Sequence, residues 1–94
     1  MDCFEVTEVL RGRLAPFAVP DSFSFAFGSK SADMQCEVEG GRTVGVRLTP
    51  ARSTLTMSFL GRSGIPVSLK IEEATLEDLA VTAAVTVETL LRSP

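Results

Sequence analysis

The sequence contains no histidine, tryptophan or tyrosine, and only two cysteines in 94 residues. Without histidine, the usual base for activating a serine or cysteine nucleophile is missing. Metal ligation would fall to carboxylates, or to Cys3 and Cys36, which lie far apart and lack the C-x-x-C spacing of zinc sites. Neither a Walker pattern nor a Gly-x-Gly-x-x-Gly run is present, so Gly40-Gly41 and Gly61-x-x-Gly64 read as hairpin turns before phosphate cradles. We therefore expect no cofactor, no metal and no enzymatic activity. Two cysteines are too few for a disulfide-built secreted domain. Cys36, between the apolar Met34 and Val38, reads as a buried, reduced thiol.

Other absences narrow the location and the partners. No apolar run approaches the ~20 residues that span a bilayer. The start, Met1-Asp2-Cys3-Phe4-Glu5, carries acids and lacks the basic n-region of a signal peptide. A cytoplasmic location is the expectation. A net charge of −3 gives no strong pull toward nucleic acid or anionic membrane.

What is present is alternation. The apolar set reads Phe23, Phe25, Phe27, then Met34, Cys36, Val38, then Val44, Val46, Leu48. It continues with Leu55, Met57, Phe59 and then Ile65, Val67, Leu69, Ile71. A period of two means strands with one apolar face. Five such runs separated by turn residues predict an antiparallel meander.

Opposed residues on antiparallel strands share a face, so the turns must preserve parity. A two-residue Gly40-Gly41 hairpin would set Glu37 against Val44. A three-residue loop over Gly40-Gly41-Arg42 instead pairs Val38 with Val44, Cys36 with Val46, Met34 with Leu48 and Gln35 with Arg47. That loop predicts a glycine at positive φ or a bulge. Parity also favours an even loop around Lys30-Ser31, facing Phe27 to Met34. A second even loop falls around Ala51-Arg52, facing Leu48 to Leu55 and Val46 to Met57. The turn through Gly61 and Gly64 is odd, bringing Phe59 near Ile65 or Val67. Pro66 lies on the outward face and has no N–H for the ladder, which puts the fifth strand at an edge or delays its start.

Helices flank the sheet. Residues 2–11 carry Val6, Val9 and Leu10 at helical spacing, with Leu14 continuing the stripe. Asp2 and Glu5 fit a capping box, and Gly12 is placed to end the helix. Pro16 and Pro20 enforce a non-helical connection, from which Phe17 tucks against the core edge. The segment Thr75 to Arg92 reads as a second helix, capped by Thr75, with Leu76, Leu79, Ala80, Ala83, Val87, Leu90 and Leu91 in one stripe. Val81, Ala83, Val85 and Val87 also alternate, but strands seldom exceed about 10 residues and the cap favours a helix.

The predicted architecture is one α+β domain over residues 1–94, in the order α-β-β-β-β-β-α, with both helices on one face of a five-stranded antiparallel sheet. At the level of fold alone, this layout resembles small acidic binding proteins such as secretion chaperones, immunity proteins and phage-encoded inhibitors. Five strands at ~4.8 Å make a sheet roughly 20–24 Å wide, and each helix covers a strip of ~10 Å. Two helices nearly suffice, and a deficit remains at one end. A homodimer, a partner or curling of the sheet would close it.

Candidate contact residues follow. Val81 and Val85, with Thr82 and Thr89, lie off the main stripe of the second helix and form a second apolar seam. Thr43, Arg47, Thr49, Thr54, Thr56, Ser58, Ser68 and Lys70 form a hydroxyl-rich, mildly basic outward sheet face. The leading expectation is a non-catalytic protein that binds another protein or itself as a homodimer, using Val81, Val85, Thr82, Thr89, Arg47 and Lys70. One alternative is nucleic-acid binding through Arg42, Arg47, Arg62 and Lys70, although a nucleic-acid reader would add exposed aromatics and more cations. The other is an enzyme with a pocket between sheet and helices.

Overall fold

The computed structural model describes residues 2–40, 42–60 and 66–92. The chain opens with helix α1, Cys3–Leu14. Asp2 caps it as its spacing predicts, its carboxylate accepting a hydrogen bond from the Glu5 backbone N–H at 2.9 Å. The helix does not stop at Gly12. It runs one half-turn further because Leu14, fully buried, anchors that turn in the core. Gly12 faces open space, so nothing there requires a break. The carbonyls of Arg11 and Leu14 are taken up by the N–H groups of Ala15, Phe17 and Ala18. Phe17 is half-buried against the core edge, as expected.

Five strands follow: β1 Ser24–Phe27, β2 Ala32–Val38, β3 Arg42–Thr49, β4 Thr54–Leu60 and β5 Pro66–Glu72. They form one antiparallel sheet in sequence order, so β1 and β5 are its edges. The parity of every turn agrees with the alternation, and two registers differ in detail. Val38 pairs with Arg42, Cys36 with Val44 and Met34 with Val46. The loop has three residues, but it begins at Glu39, and Gly40 takes the positive φ of 84°. This two-residue shift keeps the faces and places Asp33, not Gln35, opposite Arg47. The β1–β2 pairing is likewise shifted by two, with Phe27 opposite Ala32 and Phe25 opposite Met34. Ala32 is therefore a buried strand residue that the apolar pattern passed over.

The third connection matches the sequence reading directly: Leu48 faces Leu55 and Val46 faces Met57. A 3-10 turn, Pro50–Arg52, fills this even loop, closed by Ser53 in the left-handed region at φ 45°. Phe59 faces Val67, so the turn between β4 and β5 is odd, as predicted. Its residues 61–65, including Ile65 and Arg62, lie outside the described residues. Pro66 begins β5 at the edge, satisfying both expectations for that proline.

Helix α2, Leu76–Arg92, is capped by the Thr75 hydroxyl, which accepts from the Asp78 N–H at 3.2 Å. The two helices pack side by side on one sheet face, α1 over β2 and α2 over β4 and β5. Leu10, Leu14, Leu48, Leu55 and Leu79 are each fully buried between the layers. Each such burial stabilises by about 1.5–3 kcal/mol before the entropy of ordering is set against it. Glu88 clips the helices together, accepting from Arg13 at 2.9 Å and from Arg92 at 2.9 Å. No helix of the described residues is long and apolar enough to cross a membrane.

Candidate interaction surfaces

The helices leave one edge uncovered. Phe25 and Phe27 lie on the same face as Met34 and Ala32, as the alternation requires. They are not core, however: Phe25 is 39% and Phe27 52% exposed. The reason is geometric. The helices sit over β2, β4 and β5, so the expected deficit falls on β1.

These rings form an ordered row that runs from half-buried Phe23 to exposed Phe27. Phe23 and Phe25 stack with centroids 6.3 Å apart, and Phe25 and Phe27 at 6.2 Å with planes 2° apart. Alternate strand residues stand on one face, which gives the rings this spacing. Phe4, on the outer side of α1 and 57% exposed, extends the row to Phe27 at 6.1 Å. Four of the six phenylalanines therefore line one open margin of the sheet.

The backbone of β1 is open as well. The Gly28 N–H donates to the Ser31 carbonyl at 2.8 Å, so Gly28 faces β2. In an antiparallel ladder the direction alternates, so Ala26 and Ser24 also face β2, while Phe25 and Phe27 turn their N–H and C=O groups outward. β1, Ser-Phe-Ala-Phe, has no charge and no proline to discourage pairing. The opposite edge differs. β5 starts with Pro66 and carries Lys70 and Glu72, which form an ion pair at 2.9 Å. One edge is guarded and the other is not.

The outward sheet face bears a depression of about 600 Å³ lined by Ser24, Asp33, Gln35, Gly45, Arg47 and Ser58. Gly45, on the central strand, leaves the dent: a Cβ there would meet Ser58 Oγ at 3.4 Å. The predicted hydroxyl-rich face is present, with one correction. Thr54 is buried, its hydroxyl donating to the Arg52 carbonyl. Arg47 donates to Asp33 at 2.8 Å, which raises the guanidinium above its ordinary pKa. Lys70 holds the Glu72 carboxyl below the usual range by a hydrogen bond and by its charge. Both predicted basic contacts are thus exposed but spent on neighbouring carboxylates.

Val81 and Val85 stand on the solvent side of α2, 66% and 56% exposed. Thr89 sits beside them, its hydroxyl donating to the Val85 carbonyl. Thr82 turns toward the sheet edge and donates to Glu73 at 2.9 Å. The structure therefore keeps Val81, Val85 and Thr89 together on α2 and sets Arg47 and Lys70 on the opposite side of the molecule. Sequence reasoning placed Phe25 and Phe27 in the core and did not single out Phe4. The available signal was the shortfall in helix cover combined with a strand whose inward residues are all phenylalanine. Comparison of the chain with protein families, with curated proteins and with solved structures finds no match.

Proposed function

We propose that this chain is a non-catalytic cytoplasmic protein that acts by binding another protein or a second copy of itself, in the manner of an inhibitor, immunity protein or chaperone. The observation that carries the reading is the row Phe23, Phe25, Phe27 and Phe4 along an uncharged edge strand whose outer side is open. Exposed aromatic rows of this kind are costly to leave in water and mark contact surfaces. An open edge adds directional main-chain hydrogen bonds for a partner strand. Val81 and Val85 supply a second, smaller apolar surface on α2. On the outer face, the pairing of Arg47 with Asp33 and of Lys70 with Glu72 leaves little net positive charge for a phosphate backbone.

The test is affinity purification of the tagged full chain from its native host, compared with a Phe25→Lys, Phe27→Lys variant of unchanged circular dichroism. Proteins that co-purify with the parent, this chain itself included, are expected to be lost with the variant. Identical sets from both would overturn the reading.

A further inference from the structure

Resting on that reading, we infer that the strand that pairs with β1 is the β1 of a second copy, joined antiparallel about a two-fold axis through Ala26. Four features of the edge fit itself. Phe25 and Phe27, the two residues whose N–H and C=O groups face outward, flank Ala26 symmetrically. An antiparallel copy centred there sets Phe25 against Phe27 twice, each pair exchanging two main-chain hydrogen bonds.

Ala26 then meets its own copy at a non-hydrogen-bonded position, where Cα atoms come within about 4.5 Å. Its small side chain tolerates that approach. The axis is normal to the sheet, so both helical layers stay on one side and the two phenylalanine rows adjoin on that same face. Cross-strand aromatic neighbours are among the favourable sheet pairs.

Charge supports the same orientation. Asp21 precedes the strand and Lys30 lies in the turn after it, and neither has an ion-pair partner among the described residues. A reversed copy brings Asp21 of one chain toward Lys30 of the other at both ends. A foreign strand would have to supply both the aromatic partners and this charge order, whereas a second copy carries them already. The result is a continuous ten-stranded sheet whose outer edges are both the guarded β5. That closure is what an isologous interface requires.

The interface is of moderate size. With Phe4, Phe25 and Phe27 about half exposed, three rings of ~200 Å² leave roughly 300 Å² of apolar surface per copy. The rings alone supply about half of the ~1,200 Å² of the smaller stable interfaces, so association is expected at micromolar concentrations.

The experiment uses the purified full chain at about 100 µM, the range that such an interface implies. Light scattering should give twice the 10.0 kDa chain mass. Ala26→Lys puts like charges face to face on the axis and should weaken the dimer by up to about fivefold. It leaves every phenylalanine in place, and within one chain it lies beside Asp33. Ala26→Cys should form an intermolecular disulfide on mild oxidation, because the Cα separation falls within disulfide range. The parent chain, run beside it, controls for Cys3 and the buried Cys36. A monomeric parent overturns the inference, as does a dimer that Ala26→Lys leaves intact and Ala26→Cys fails to cross-link. A monomeric parent whose co-purifying proteins are lost on changing Phe25 and Phe27 removes the second copy and leaves the protein-binding reading standing. Co-purifying proteins unaffected by those changes remove both.

Discussion

Replacing Phe27 with threonine separates a core residue from a contact residue. Phe27 is 52% exposed, so about half of a ~200 Å² side chain is buried within one copy. That ~100 Å² corresponds to about 2.5 kcal/mol at 25 cal/mol/Å², an upper value because unfolded chains are partly compact. The methyl and β-branch of threonine recover part of it, leaving about 1–1.5 kcal/mol. Leu10→Ala is the reference. Leu10 is fully buried between the layers, so its loss costs about 3 kcal/mol, combining transfer and cavity contributions. At about 4–8 °C per kcal/mol for a domain of this size, the two should lower Tm by roughly 4–12 °C and 12–24 °C. With no tryptophan or tyrosine for fluorescence, thermal unfolding is followed by far-ultraviolet circular dichroism, at low micromolar protein. As protein concentration rises, the cost of Phe27→Thr should grow while that of Leu10→Ala stays constant, because only the former weakens association. Equal costs at low concentration would refute the reasoning, since the phenylalanine row would then belong to the core.

Three further outcomes are expected. Val81→Asp with Val85→Asp should leave the dimer mass unchanged and Tm within about 5 °C, because both side chains project into solvent from α2; light scattering and a thermal melt check this, and a monomer would move the self-contact to α2. Lys70→Gln should raise the Glu72 titration point seen by NMR. Because Lys70 holds the folded Glu72 carboxyl below its unfolded value, its contribution to stability is present above the unfolded pKa and is lost as pH falls through the folded one. A Glu72 titration unmoved by Lys70→Gln would contradict the ion pair. In a thiol-reagent assay at neutral pH, half-buried Cys3 should react slowly and Cys36 only on unfolding, since burial raises both thiols above their ordinary range; two fast thiols in the native chain would contradict the placement of Cys36.

The two registers that moved show the limit of parity arguments. Alternation fixes which residues share a face, because a one-residue slip would turn Met34, Cys36 and Val38 to solvent. A two-residue slip keeps every face, so the pattern is blind to it. Turn geometry decides there: Gly40 supplies the left-handed residue, and the loop begins at Glu39. The end of α1 departs from its local signal for a related reason. Gly12 is a local stop signal, but the burial of Leu14 overrides it.

By itself the sequence determined the element order, the faces of all five strands, the helix caps at Asp2 and Thr75, and the likeness of β5 to an edge. These follow from local chemistry and from periods of two and 3.6, which a chain carries along its length. Only the tertiary structure decided which apolar residues are covered. Phe25 and Leu48 occupy equivalent positions in the alternation, yet one lies 39% exposed and the other fully buried. The difference depends on where two helices land across a sheet wider than they can cover, and no local pattern along the chain contains that.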